Sequence, residues 1–108
     1  MKSRTFPTFR VRRICSLKWL AVDIVDVLAS MVIPEHSHAK SASLMFMLRG
    51  GGDLTRGSGM LAMQYLLPYL VRRGILHGIA ARSRGMTFMA ISFPPLPLDQ
   101  SLDEQDRG

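Results

Sequence analysis

A chain of 108 residues with 47% hydrophobic side chains is long enough for one buried core and too apolar to be disordered throughout. Its net charge of +6 favours a polyanionic partner, either nucleic acid or an anionic membrane surface. A single cysteine, Cys15, excludes an internal disulfide framework and a cysteine-rich metal site.

Residues 1–15 read as a basic N-terminal arm carrying Lys2, Arg4, Arg10, Arg12 and Arg13, with Pro7. This acid-free, Arg-rich start is similar to an organelle presequence, so a small membrane-surface or organelle-targeted protein is the alternative reading. Asp23 and Asp26 interrupt the apolar run that follows, at about 3 kcal/mol each in a bilayer centre. No transmembrane helix is expected there, and the expected location is cytoplasmic.

A single domain is predicted over 16–93. Leu17, Leu20, Ala21, Ile24, Leu28 and Met31 recur at helical spacing and predict a first helix over 16–31, ended by Pro34. Ser41 is a candidate N-cap for a short second helix over 41–48, which Gly50-Gly51-Gly52 would end. Met60, Met63, Leu67, Leu70 and Val71 predict a third helix over 58–73, with Gly74 just past its end. Ile24 and Leu67 stand mid-stripe and are expected to be buried. Residues 75–80 and 86–92 read as two strands joined by a hairpin loop, Ala81-Arg82-Ser83-Arg84-Gly85. Phe93-Pro94-Pro95 ends the second strand, and 94–108 read as a Pro-containing, acidic, disordered tail.

The run Leu66-Leu67-Pro68-Tyr69-Leu70-Val71-Arg72-Arg73-Gly74-Ile75-Leu76-His77-Gly78-Ile79 resembles the end of the recognition helix in the iron–sulfur-cluster-regulator family of bacterial winged-helix transcription factors. The close match covers 64–79. The resemblance implies a mainly α fold: a three-helix winged-helix-like domain with a small β-hairpin wing. It implies a DNA-binding transcriptional regulator with double-stranded DNA as partner. The family assembles as a homodimer, although its long C-terminal dimerisation helix and clustered cysteines have no counterpart here. Helical spacing turns Ser58, Tyr65, Tyr69 and Arg72 outward on the third helix, Arg56 just precedes it, and Arg82 and Arg84 sit at the hairpin tip. These seven residues are the expected DNA contacts.

Other constellations are sparse. His36-x-His38 beside Glu35 offers two histidines on a loop, too few for a defined metal site. Gly52 to Ser58 imitates a phosphate loop but lacks the Lys-Ser/Thr pair. No Ser/His/Asp or Cys/His spacing argues for catalysis, so neither an enzyme, a metal site nor a cofactor is expected. A fragment or non-functional product with no stable fold is the remaining rival.

Overall fold

A computed structural model describes residues 2–96, and these form an all-β structure without any helix. Its strands are β1 (Lys2–Thr5), β2 (Phe9–Ser16), β3 (Ala21–Val27), β4 (Val32–His36), β5 (Ala42–Arg56), β6 (Gly59–Ala62), β7 (Pro68–Val71) and β8 (His77–Phe93). Every pairing between them is antiparallel.

The two long strands, β5 and β8, run side by side from Ala42↔Phe93 to Arg56↔His77 and form the spine. Both change neighbours midway. Met86–Ser92 of β8 pair with β3, which pairs with β2 and thence β1, while Ser43–Phe46 of β5 pair with β7. His77–Ala80 of β8 pair with β4, and Asp53–Arg56 of β5 pair with β6. The sheet thus folds into two facing leaves that share β5 and β8. The change of neighbour falls where the register slips, between Gly50 and Gly52 on β5 opposite the Arg82–Gly85 stretch of β8. Bulges of this kind bend strands and raise their local twist. Glycine is required at Gly50 and Gly85, whose φ values are +76° and +75°, in the left-handed region.

Alternation along each strand builds the core between the leaves. Phe9 and Val11 of β2, Val25 and Val27 of β3, Met45 and Met47 of β5 and Phe88 of β8 face inward from one leaf. Ile33, Leu54 and Ile79 face them from the other.

This architecture corrects the mainly α, winged-helix-like expectation. The supposed first helix is β3 with its flanks: Leu17, Leu28 and Met31 are exposed, and Ile24 is only half-buried on the outer face. The second helix is the first half of β5. The third is β6, a turn and β7; Leu67, expected in the core, is 46% exposed, because Gln64–Leu67 form the turn. Pro68 is the physical reason no helix passes here. It starts β7, which pairs with β5 alone among the described residues, and an edge strand tolerates the missing donor. The two wing strands belong to one strand, β8, so there is no hairpin at Ala81–Gly85. Most of residues 1–15, read as an arm, belong to β1 (Lys2–Thr5) and to β2, which begins at Phe9. Strand β8 does end before Pro94, while most of the acidic tail lies outside the described residues. No helix among the described residues is long and apolar enough to cross a membrane.

Candidate metal centre

Chain topology gathers the histidines that local sequence keeps apart. His36 ends β4 and His77 begins β8, and the register of that pair sets them directly opposite each other. His38 follows two residues after His36, and both side chains are buried. Between them Ser37 is less buried, and Glu35, on the other side of His36, is exposed, so the carboxylate adjacent in sequence does not join the histidines. One ring nitrogen from each histidine lies within 4.8 Å of the others. The ring centroids are 4.3 Å apart for His36 and His77, 4.8 Å for His36 and His38, and 5.5 Å for His38 and His77.

Backbone contacts orient the rings. His36 Nδ1 lies 2.7 Å from the Pro34 carbonyl and His77 Nδ1 lies 3.0 Å from the Ile75 carbonyl. A carbonyl only accepts, so each Nδ1 carries its proton and each Nε2 keeps a free lone pair. His38 Nδ1 is buried with no hydrogen-bond partner. An orphaned, buried ring nitrogen beside two other imidazoles is a costly arrangement unless a further group satisfies it. The turn before β8 ties these parts together. Gly74 N donates to the His38 carbonyl at 2.9 Å, Ile75 N donates to the Arg72 carbonyl at 3.2 Å, and Gly57 N donates to the Leu76 carbonyl at 2.8 Å. Gly74 holds φ +77°, and a Cβ there would meet nothing within 4 Å, so only its backbone conformation demands glycine. Gly74→Ala should therefore lower stability by about 1–2 kcal/mol and Gly74→Asn by less, as measured by denaturant unfolding.

Burial holds all three histidines neutral. Desolvation, with repulsion from His38, pushes His36 down to about 4, against the Pro34 contact. Desolvation and the neighbouring His77 take His38 to about 4, and desolvation and His36 do the same for His77, against the Ile75 contact. Three neutral imidazoles, each with a ring nitrogen within 4.8 Å of the others, are a donor set for a borderline divalent ion. Ligands of one ion bound at about 2.1 Å stand closer together than the widest spacing here, so small ring rotations would complete the set.

The cluster opens on a cavity of about 80 Å³ between the leaves. Phe9, Val25, Met45, Ile79 and Phe88 make its wall largely apolar. Asp23 adds one carboxylate, gripped by Arg13 through Nε at 2.8 Å and Nη2 at 3.1 Å. Arg13 Nη2 also donates to the Leu96 carbonyl at 2.7 Å, and Leu96 lines the cavity.

The residues expected to contact DNA are scattered. Arg56 ends β5 and donates from Nη1 to the Leu70 carbonyl at 2.8 Å. Ser58 lies in the exposed β5–β6 turn, and Tyr65 lies exposed between β6 and β7. Tyr69 is in β7, where its hydroxyl accepts from Gln64 N at 2.8 Å. Arg72 belongs to the turn before β8. Arg82 and Arg84 lie in the bulge of β8, and Arg82 Nη2 pairs with Asp53 at 2.8 Å. No recognition helix carries them, and this overturns the regulator reading and its double-stranded DNA partner. The histidine cluster likewise corrects the expectation of a chain without an active-site constellation. Sequence reasoning noticed His36-x-His38 and placed it on a loop; it placed His77 in a wing strand. The signal that was available is the two-residue spacing, which puts both side chains on one face of an extended segment.

No family model and no curated protein matches this sequence. Its fold does match solved structures. KdgF from Halomonas sp. superposes with a TM-score of 0.80 at 12% identity, over 87% of this chain and 88% of that one. Ectoine synthase from P. lautus gives 0.81 at 16% identity, over 95% of this chain and 76% of that one. An RmlC-like cupin from Shewanella frigidimarina gives 0.77 at 10% identity, over 84% and 80%. At such identities the likeness is one of fold: this chain is cupin-like, and it is not similar to the winged-helix regulators.

Proposed function

We propose that this cupin-like chain holds one divalent first-row transition-metal ion through His36, His38 and His77 and acts at that ion on a small oxygen-bearing substrate. The observation that carries this reading is the convergence of three buried, neutral imidazoles on one cavity, two with their Nδ1 protons fixed by backbone carbonyls and the third with an orphaned Nδ1. Ectoine synthase, which shares the fold, is by its name an enzyme acting on a small molecule, in keeping with a catalytic role.

When bound, the ion supplies Lewis acidity toward an oxygen ligand. The protein's own residues do the rest. Three neutral ligands leave the charge of a divalent ion uncompensated, so the site favours an anionic oxygen donor such as a carboxylate. Phe9, Val25, Met45 and Phe88 exclude water, which strengthens every polar contact inside. Asp23, fixed by two hydrogen bonds from Arg13, is the acidic group of the wall and the candidate proton acceptor. The Pro34 and Ile75 carbonyls hold His36 and His77 in the ligating tautomer.

Equilibrium dialysis of the full chain against zinc, with elemental analysis, tests the reading. One ion per chain is expected. Substituting cobalt(II) should give the visible absorption of a nitrogen-ligated ion. Failure to bind either metal stoichiometrically, by chain shown to be folded, would overturn it.

A further inference from the structure

The bulge that bends the spine leaves an open cleft of about 780 Å³ on the molecular surface. Its walls come from Val27–Ala29 at the end of β3, Arg49–Gly51 of β5 and Arg82–Thr87 of β8, and it shares no lining residue with the histidine cavity. Its size lies within the range of about 300–1,000 Å³ usual for small-molecule sites.

Charge is concentrated here. Arg49, Arg82 and Arg84 all line the cleft. Among the described residues Arg10 and Arg12 pair with Asp26, Arg13 with Asp23 and Arg82 with Asp53, whereas Arg49 and Arg84 pair with no carboxylate. Arg82 itself keeps 58% of its side chain exposed. Backbone irregularity adds to this. Gly51 and Arg82–Gly85 have no partner across the β5–β8 ladder, although the Arg82 carbonyl accepts from Ser30 N at 2.9 Å. A Cβ at Gly51 would meet only the Arg82 side chain, at 3.8 Å, so Gly51 stands beside that arginine in the cleft.

We infer that this cleft is a second binding site, for a small oxyanion carrying two or more negative charges. Guanidinium groups present paired N–H donors that match phosphate and carboxylate oxygens. Arg49 and Arg84, with no carboxylate partner among the described residues, leave uncompensated positive charge around one depression, and a multiply charged anion neutralises it. Phosphoryl and polycarboxylate groups share this chemistry, so the probes are inorganic pyrophosphate and citrate.

The test is calorimetric titration of the metal-free full chain with each probe, at low ionic strength and at about 0.15 M salt. One saturable site is expected for at least one probe, and the tighter of the two identifies the source of the oxyanion. Arg49→Ala and Arg84→Ala should each weaken binding about tenfold or more. Both side chains are exposed, so the fold should survive, as circular dichroism would show. Arg4→Ala removes an equal charge from exposed β1 and should leave affinity unchanged, and so should His77→Ala, which abolishes the proposed metal site and not this one. Absence of saturable binding by both probes overturns the inference. So does a loss in Arg4→Ala equal to that in Arg49→Ala and Arg84→Ala, because it would reduce the site to net charge.

Discussion

Replacing His77 with alanine should lower zinc affinity at least about 100-fold, and His36→Ala and His38→Ala should do the same. The scale follows from what surrounds a ligand: loss of an outer-shell partner alone commonly costs about 10–100-fold, and here a donor itself is removed. His77 is the most informative of the three. It is the ligand contributed by β8, and it faces His36 across the β4–β8 pair, so its removal leaves the two donors from 36–38 in place. Two imidazoles on one extended segment cannot enclose an ion, and residual binding should be weak. The metal-free variant should remain folded, because the substitution also removes a buried polar ring. Isothermal titration with zinc, beside circular dichroism of the metal-free variant, reads both effects. Undiminished stoichiometric binding by His77→Ala would place the ion elsewhere.

How far the sequence disclosed this site is instructive at particular residues. Two breaks were legible: Pro94 follows the end of β8, and Gly74 takes positive φ, although at a turn and not past a helix; Pro34 lies inside β4 and Gly50–Gly52 inside β5, where the register slips but the strand continues. Strand character over 86–92 was also legible, from the β-tolerant residues Thr87, Phe88 and Ile91. The elements before Gly74 were not. In β3, Asp23 and Asp26 stand three apart and imitate the polar side of a helix, yet Asp23 points inward to Arg13 and Asp26 outward to Arg10 and Arg12. Val22 and Ile24 on the outer face are half-buried, so β3 is apolar on both faces and shows no clean alternation. In β5, Leu44, Met45, Phe46, Met47 and Leu48 form a continuous apolar run, and periodicity cannot tell such a run from a buried helix. The resemblance over 64–79 rested on Leu66-Leu67-Pro68, a step that here is the turn into an edge strand. The site itself depended on the one thing local pattern does not hold, the β4–β8 register that sets His36 against His77.

Without metal, the protein should lose stability steeply as pH falls from 6.5 towards 4. Each histidine ionises near 6.5 when unfolded and at about 4 when folded, because burial disfavours the imidazolium. Between those values the unfolded chain binds more protons than the native one, so lowering the pH favours unfolding. The contribution of neutral burial is complete above 6.5, diminishes through the window and is gone once the native rings protonate near 4. For one ring the drop is worth about 3 kcal/mol, and two or three rings together approach the whole stability of an ordinary domain, about 5–15 kcal/mol. The rings repel one another when charged, so their losses do not simply add. The midpoint temperature of the metal-free chain should accordingly fall between pH 6.5 and 5, well above the range in which carboxylates alone would act. Zinc should shift this fall to lower pH, since the ion and the proton compete for the same lone pairs. His36→Gln keeps a polar side chain but cannot titrate, and should flatten the curve; wild-type and variant scans over the same buffers isolate the histidine term from the carboxylates. A metal-free midpoint that stays level from pH 6.5 to 5 would show that these rings are hydrated in solution, and that the cavity beside them is open to water.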